Sequence, residues 1–578
     1  MAVDAPPPPV VVERGGAHRS GTLLDNQPYE PQVRPLGAIV GLIMFAVFAV
    51  VYGAIGYHVV IDQHVVVFDA LDRLTRAFLI WHNAPPKLAA IGFLFPPLTT
   101  LVFLPFAAIK PVATTLIALP FTTAVFAAGA MVMLDRTLAR CEMTFTLRLP
   151  LLVAFGINPL WVFYAGNGMS EAIYLAFLAF SLYCFVSWYE TTEPRYLIGA
   201  GFGISLLIMT RYAFLIWAGL VALLIGVALV RRRASRIEVE GSVVAFAAPV
   251  IYAAALWILF NALIVGDPFG WVRDTTSAQA VNATGITTAG HLGFDDISRR
   301  LLELNVAVFP LAFIVVPALV MTFLSQRNDM ALWLASFIVL GIVIIGVHAY
   351  TSQNEGLLTL RDSMPMMLTS LVGAAWVFRS FVTLRVVAWA ATLALLVVNL
   401  FTAWQGMQNY PFQSLEQAFV RAVKTGSDQE GQPSRGGFRV GIRPEAQMAQ
   451  YIKDHVTGSN AILTDNAQTF AVILLTGRAD QFFDRIDRGD AKWRAVLEKP
   501  FGKVRWFVFA FNPRSGDLIE RRYPQMNSNG VPGFHVAFRT DRYILVSVAA
   551  RNPAAPAAAT RSGARRGART PTFAPATG

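Results

Sequence analysis

The sequence predicts a polytopic α-helical membrane protein of about eleven transmembrane helices, N-terminus inside and C-terminus outside, with a small extracytoplasmic α/β domain near its C-terminus. Three observations carry this. Apolar runs of about 20 residues, each able to cross a ~30 Å hydrocarbon core as a helix, recur between residues 35 and 404. Only 14% of residues are charged and 55% are hydrophobic, whereas soluble domains carry roughly 25% charged residues. After residue 404 the pattern changes to short β-rich runs alternating with amphipathic stretches, the signature of an α/β unit.

The net charge of +11 is read as basic residues at cytoplasmic membrane edges, so it points to no nucleic acid. Residues 1–34 are rich in Pro and charge and are predicted to be a disordered cytoplasmic N-terminus. Pro35–Tyr57 lacks a small-residue cleavage site and is read as a retained first crossing. The inside marker is "RRRASR", with Arg231, Arg232, Arg233 and Arg236 in one short loop. Threading outward from it gives further crossings at Val112–Leu134, Pro150–Tyr164, Ala172–Trp188, Tyr196–Thr210, Tyr212–Val230, Gly241–Val265, Val306–Leu324, Met330–His348, Pro365–Phe378 and Val386–Trp404.

Parity then constrains residues 58–111. If the apolar ramp Leu88–Ile109 crossed once, the arginine loops would flip outside. The stretch is therefore expected to form one large external loop, its ramp broken by Pro96, Pro97 and Pro105 and lying along or dipping into the outer leaflet.

Residues 405–548 form the exported domain. Ala461–Asp465, Val504–Ala510, His535–Arg539 and Tyr543–Ala549 read as strands, Glu445–Val456 and Ala491–Lys499 as helices. The Ala/Pro/Arg-rich tail, 549–578, is predicted to be disordered. The two cysteines, Cys141 and Cys184, have no CxxC spacing, and the histidines show no zinc-ligand spacing, so no metal ligand is assigned.

This threading gathers the unusual polar groups on the outer face. They are Asp62, Asp69, Asp72 and Arg73; Asn167 and Glu171; Arg211; Asp267, Arg273 and Asp274; and Tyr350, Glu355, Arg361 and Asp362. Acids and arginines beside apolar segments at one membrane face suit a lipid-linked anionic substrate. Guanidinium matches phosphate in bidentate fashion, and an aspartate there can take a proton from an acceptor hydroxyl.

At these residues the chain resembles membrane glycosyltransferases of the GT-C superfamily, the class of the protein O-mannosyltransferases and the bacterial lipid A aminoarabinose transferases. "DALDRLTRA" (Asp69–Ala77) is similar to their first-loop helix D-E-x-R-Y-x-x-x-A and departs from it at Ala70, where the family has a second acid. "PPK" (Pro85–Lys87), "GNGMSEAIYLAF", "LIMTRYAFL" and "GDPFGW" resemble further stretches in the family's order, over about residues 35–405. The resemblance implies a transferase in the bacterial cytoplasmic membrane, acting on its extracytoplasmic side. It would move a sugar from a polyprenyl-phosphate-linked donor to a glycan, lipid or protein acceptor, with inversion. Asp69 would be the base; Arg211 and Arg361 would hold the donor phosphate; Glu171 would bind sugar hydroxyls or orient an arginine. Arg73, Asp62 and Asp267 complete the candidate substrate-binding set, and a divalent cation stays open as cofactor.

Each assignment has a structural counterpart. Asp69 reads equally as a helix cap, a partner of Arg73 or a metal ligand. Asp72 and Arg76 read as an i,i+4 pair. Asp62 is the alternative base. Glu171 suits a helix dipole, Arg211 an interfacial snorkel, and Asp267 before Pro268 a turn. A transporter or flippase of lipid-linked saccharide, and a non-catalytic glycan-binding scaffold, are the competing functions. The first needs ionisable groups at mid-membrane; the second is suggested by Ala70.

Overall fold

The computed structural model describes residues 37–92, 96–264, 266–272, 293–351, 358–411, 414–434, 439–485, 491–511, 516–528 and 530–551. The two tails predicted to be disordered fall almost wholly outside these residues, as do Arg273, Asp274 and Glu355.

The membrane part is a bundle of helices. They are α1 (Ala38–Tyr57), α2 (Phe68–His82), α3 (Ala118–Arg140), α4 (Phe145–Gly156), α5 (Pro159–Gly166), α6 (Ser170–Thr191), α7 (Pro194–Ile208), α8 (Phe214–Arg231), α9 (Arg236–Ile264), α10 (Phe294–Val308), α11 (Ala312–Gln326), α12 (Asp329–Thr351), α13 (Met364–Ser380) and α14 (Arg385–Asn409). Among the described residues seven helices are long and apolar enough to cross a membrane, or nine if each of two bent pairs is one span. The sequence-based count of eleven also requires α7 and α13, of 15 and 17 residues, which reach about 22–26 Å at 1.5 Å per residue.

Residues 58–111 contain no described helix longer than α2, which has 15 residues and is amphipathic. The ramp after it is a 3₁₀ turn at Leu88–Ile91 and four- or five-residue helical turns at Leu98–Leu101, Leu104–Ala107 and Lys110–Thr114. The prolines break it because each lacks an amide donor.

Two predicted crossings differ from the structure. Pro150–Tyr164 is a pair, α4 and α5, meeting at 70°. Pro159 starts the second helix without an N–H, and the Asn158 side chain accepts from the Leu160 and Trp161 amides, so a new N-terminus is capped inside the bundle. Val306–Leu324 divides at Phe309–Leu311 around Pro310, with α10 and α11 at 94°; α10 carries acids and arginines along one side and is amphipathic.

The interior is set by close backbone approach. The end of α1 crosses α5 where Gly56 meets Gly166: a Cβ on Gly56 would stand 2.5 Å from the Gly166 carbonyl oxygen. Beside this crossing Trp161 Nε1 donates to the Tyr52 hydroxyl, which donates to the Gly156 carbonyl, both at 3.0 Å. α3 packs on α1 and α6, and α13 on α6, α11, α12 and α14.

The C-terminal unit holds α15 (Ser414–Thr425), α16 (Arg443–His455), α17 (Asn466–Thr476), α18 (Ala491–Glu498) and α19 (Leu518–Arg522) with β1 (Ile462–Thr464), β2 (Phe482–Asp484), β3 (Trp506–Ala510), β4 (Phe534–Arg539) and β5 (Tyr543–Val548). The sheet order is β2-β1-β3-β5-β4; β1 is parallel to β2 and β3, while β5 runs antiparallel to β3 and β4. All four predicted strands are present within two residues of their expected ends. β2 and the buried helix α17 carry no period legible from the sequence: β2 has three residues, and α17 is apolar on nearly every side.

Gly56→Val forces a branched side chain into backbone contact, and overpacking of this kind costs about 1–3 kcal/mol. The thermal unfolding midpoint in detergent is expected to fall accordingly. Gly129→Ala, where a Cβ meets nothing within 4 Å, is expected to leave it unchanged or raise it.

Candidate active site

The site is built at one end of the bundle, where three chain segments converge on Arg211. Arg211 sits in the turn between α7 and α8. Its Nη2 lies 2.5 Å from Glu171 Oε1 at the start of α6, and its Nη1 lies 2.6 Å from Asp362 Oδ1 in the turn before α13. The Glu171 side chain is 0% exposed and faces this guanidinium. The fork is seated 4.8 Å above the Tyr174 ring, one helical turn from Glu171 on the same face.

The turn that brings Asp362 and Arg361 is itself tethered. Tyr174 donates to the Arg361 carbonyl at 3.1 Å, Tyr410 to the Leu358 carbonyl at 2.8 Å, and the Thr359 hydroxyl to Asp362. Burial pushes the Asp362 carboxyl up, but Arg211 and Arg361 pull harder, and it ends below the ordinary carboxylate range. Both arginines end more firmly protonated than usual: burial opposes the charge, and Tyr174, Glu171 and Asp362 around Arg211, and Glu171, Asp362 and Asp69 around Arg361, outweigh it.

Asp69 approaches from the other side, on the first turn of α2. The helix begins after Val67 with no side-chain cap, so Asp69 is not occupied as a cap. Its Oδ2 lies 3.7 Å from Arg361 Nη1; the two side chains are 54% and 35% exposed. This is the loosest pair of the cluster and the one open to solvent. Arg73, one turn along α2, is buried with its Nη1 3.9 Å from Met169 Sδ. Burial lowers its proton affinity; Asp69 and Glu171 support its charge, and Arg361 and Arg211 oppose it.

The structure thus brings together Asp69, Arg73, Glu171, Arg211 and Arg361, and adds Asp362. Asp62 and Asp267 are engaged elsewhere. Asp62 pairs with His58 at 3.0 Å on an exposed turn, and Asp267 accepts the Phe269 amide at 3.1 Å within its own turn. Asp72 pairs with Arg76 at 2.7 Å, the structural contact its spacing predicts.

Sequence reasoning missed the roles of Asp362, Tyr164, Tyr174, Tyr410 and Glu416. Tyr174 could have been found, being three residues after Glu171 on a helix. Glu416 has no such signal: it lies on α15, 245 residues from Glu171, yet its buried carboxyl bonds the Tyr164 hydroxyl and is raised by burial and lowered in part by Arg361.

Ala70, where the family pattern has an acid, is 0% exposed, and a Cβ on Gly168 would stand 3.1 Å from its own Cβ. A carboxylate there would have no room and no solvent. The possible divalent cation fits poorly as well. Glu171 and Asp362 are both taken by Arg211, and among the described residues no three His, Cys, Asp or Glu converge as ligands.

A second ionic layer lies at the opposite end of the same helices. Glu190 near the end of α6 pairs with Arg379 near the end of α13 at 2.7 Å, and Glu142 pairs with Arg385 at 2.6 Å. Arg232 reaches Asp329 at 3.3 Å in this layer and stacks on Tyr189. From Glu171 to Glu190 the helix rises about 28 Å, close to the ~30 Å of a bilayer core.

No family model and no curated protein matches the chain. Solved structures of the Archaeoglobus fulgidus oligosaccharyltransferase are similar in outline. The form tethered to an acceptor peptide containing the NVT sequon is 11% identical, with 82% of this chain and 69% of that chain covered and a TM-score of 0.44. The apo form is 11% identical, with 80% and 69% covered and a TM-score of 0.43. The complex of that enzyme, AglB, with an inhibitory peptide and a dolichol-phosphate is 11% identical, with 81% and 69% covered and a TM-score of 0.40. At this depth the likeness transfers no residue role and no chemistry to this chain.

Removing one partner of a buried pair leaves the other charge uncompensated, at about 3–5 kcal/mol. Arg211→Ala is therefore expected to destabilise the protein strongly in thermal unfolding, with partial recovery when Glu171→Gln is added. Arg361→Ala, which breaks the looser and more exposed pair, is expected to cost about 1 kcal/mol or less.

Proposed function

We propose that the protein is an integral-membrane glycosyltransferase with eleven crossings. It transfers a sugar from a polyprenyl-phosphate-linked donor to an acceptor hydroxyl on the extracytoplasmic side of a bacterial cytoplasmic membrane. The observation that carries this reading is the contact between Asp69 and Arg361, two residues 292 positions apart, at the edge of an apolar bundle. Sidedness follows from the arginines of "RRRASR", which lie toward the other ionic layer.

A narrow apolar cleft lies near the arginines, lined by Leu182, Leu207, Trp217, Phe337, Pro365 and Thr369 among others. Leu207 lies four residues before Arg211 and Pro365 four after Arg361. A prenyl chain lying in this cleft would bring its phosphate to the guanidinium groups. Arg211 is already committed to Glu171 and Asp362, which makes it the organiser of the site. Arg361 is the phosphate ligand in this reading, because its partner Asp69 is loosely held and a phosphate can displace it.

The displacement has a chemical use. It frees the Asp69 carboxylate to take the proton of the acceptor hydroxyl. The acceptor oxygen attacks the anomeric carbon from the face opposite the phosphate, and the bond from that carbon to the phosphate oxygen breaks, so the configuration inverts. The departing lipid phosphate gains a negative charge, which Arg361 stabilises.

The alternatives are less well supported. Among the described residues, the Asp, Glu, Lys, Arg and His side chains of the membrane-crossing helices sit in the first or last two turns; a transporter would place some near the midplane. The scaffold reading leaned on Ala70, and the packing of Ala70 on Gly168 gives that departure a steric reason.

In membranes supplied with radiolabelled polyprenyl-phosphate sugars, Asp69→Asn is expected to lower transfer by about 10²–10⁴-fold with donor binding retained. Equal transfer by wild type and variant would remove Asp69 as base, and absence of wild-type transfer from every donor would leave the scaffold reading in place.

A further inference from the structure

The exported domain grips the helix that carries Asp69. Phe68 lies between two of its side chains. The Phe470 ring meets it edge-on with centroids 6.2 Å apart, and the Arg542 guanidinium carbon stands 5.1 Å from the ring centre. Two turns along the same face of α2, Thr75 Oγ1 donates to the Phe470 carbonyl at 3.3 Å. Just past the helix end, Asn83 Nδ2 donates to Asp484 Oδ1 at 3.2 Å. Ala70 and Arg73 take the other side, against Gly168 and Met169 of the bundle.

Arg542 is anchored from behind. Its Nη2 donates to the Gly441 carbonyl at 2.8 Å and lies 3.1 Å from Glu445 Oε2, on a side chain that is 0% exposed. A guanidinium fixed at one edge and stacked over a ring is a stiff contact. Asp69 needs such a contact: it has no capping bond, its pair to Arg361 is loose, and its place is set by the first turn it shares with Phe68.

We propose that Arg542 is a positioning residue. It clamps Phe68 against Phe470 and so holds the Asp69 carboxylate opposite Arg361, which makes the exported domain a jaw of the active site. The catalytic consequence rests on the glycosyltransferase reading; the clamp itself does not.

The test uses the full chain in detergent or nanodiscs, with Arg542→Ala, Arg542→Lys and Phe68→Ala. Hydrogen–deuterium exchange is followed over Phe68–Leu74 and over β3 and β5, alongside transfer kinetics. Arg542→Ala is expected to speed exchange in the first two turns of α2 about tenfold while β3 and β5 stay protected. In transfer, kcat falls about tenfold, as misplacement of a reacting group predicts, with the donor KM within about twofold because the phosphate contacts are untouched. Arg542→Lys recovers most of both effects, and adding Arg542→Ala to Phe68→Ala does no further harm.

Unchanged exchange in α2 with an intact exported domain overturns the clamp. Should Arg542→Ala unfold β5, Phe68→Ala, which lies outside that domain, decides by the same criterion. If wild type transfers no sugar, exchange still decides the clamp, and the failure belongs to the glycosyltransferase reading alone.

Discussion

Arg211 carries two carboxylates, one of them wholly withdrawn from solvent, and the rest of the site is arranged around that load. A buried ion pair rarely adds net stability, because desolvation offsets the attraction. What it does here is geometric. A planar fork with fixed donors holds α6, the α7–α8 turn and the turn before α13 at one point. The tyrosines that brace the fork and the turn, Tyr174 and Tyr410, donate to the backbone carbonyls of Arg361 and Leu358. With that point fixed, Arg361 is presented at the rim with spare capacity for an anion.

The same helices end in a second set of ion pairs about one bilayer thickness away. Both layers are joined across helices that are distant in sequence, as in Arg385 with Glu142 and Arg379 with Glu190. Between them small residues stand in close contact, and buried hydroxyls such as Thr122 and Thr369 are satisfied by bonding back to their own helix. This is what a membrane demands: charge at the edges where water can share it, and closed backbone in between. The consequence is that the charged side chains are confined to the two ends of the bundle.

α2 is the element on which the two halves of the molecule meet. One face rests on Gly168 and Met169, the other on α17 and the turn before β5 of the C-terminal unit. A 15-residue helix held on both sides has little freedom, and a carboxylate on its first turn inherits that rigidity. The C-terminal unit therefore borders the residues around Asp69.

Apolar run length, the arginine loops and proline positions, taken alone, determined the membrane class, and they carried the expectation that residues 58–111 stay on one side and share a face with the polar residues of later loops. Those features act locally: a helix must bury its own backbone whatever its neighbours, and parity follows by counting. Four of the strands after residue 404 were legible for the same reason, since their β-branched and aromatic runs are short and bounded. Tertiary structure decided which of the polar residues touch. Asp62 and Asp267 satisfy the same composition rules as Glu171 and Asp362, yet turn geometry diverts them to His58 and to a backbone amide. Glu416 and Arg542 enter only because α15 and the turn before β5 pack back onto the bundle. The bends at Asn158–Pro159 and Pro310 were visible as residues but not as angles, because a proline removes a donor without saying which neighbour will receive the redirected chain.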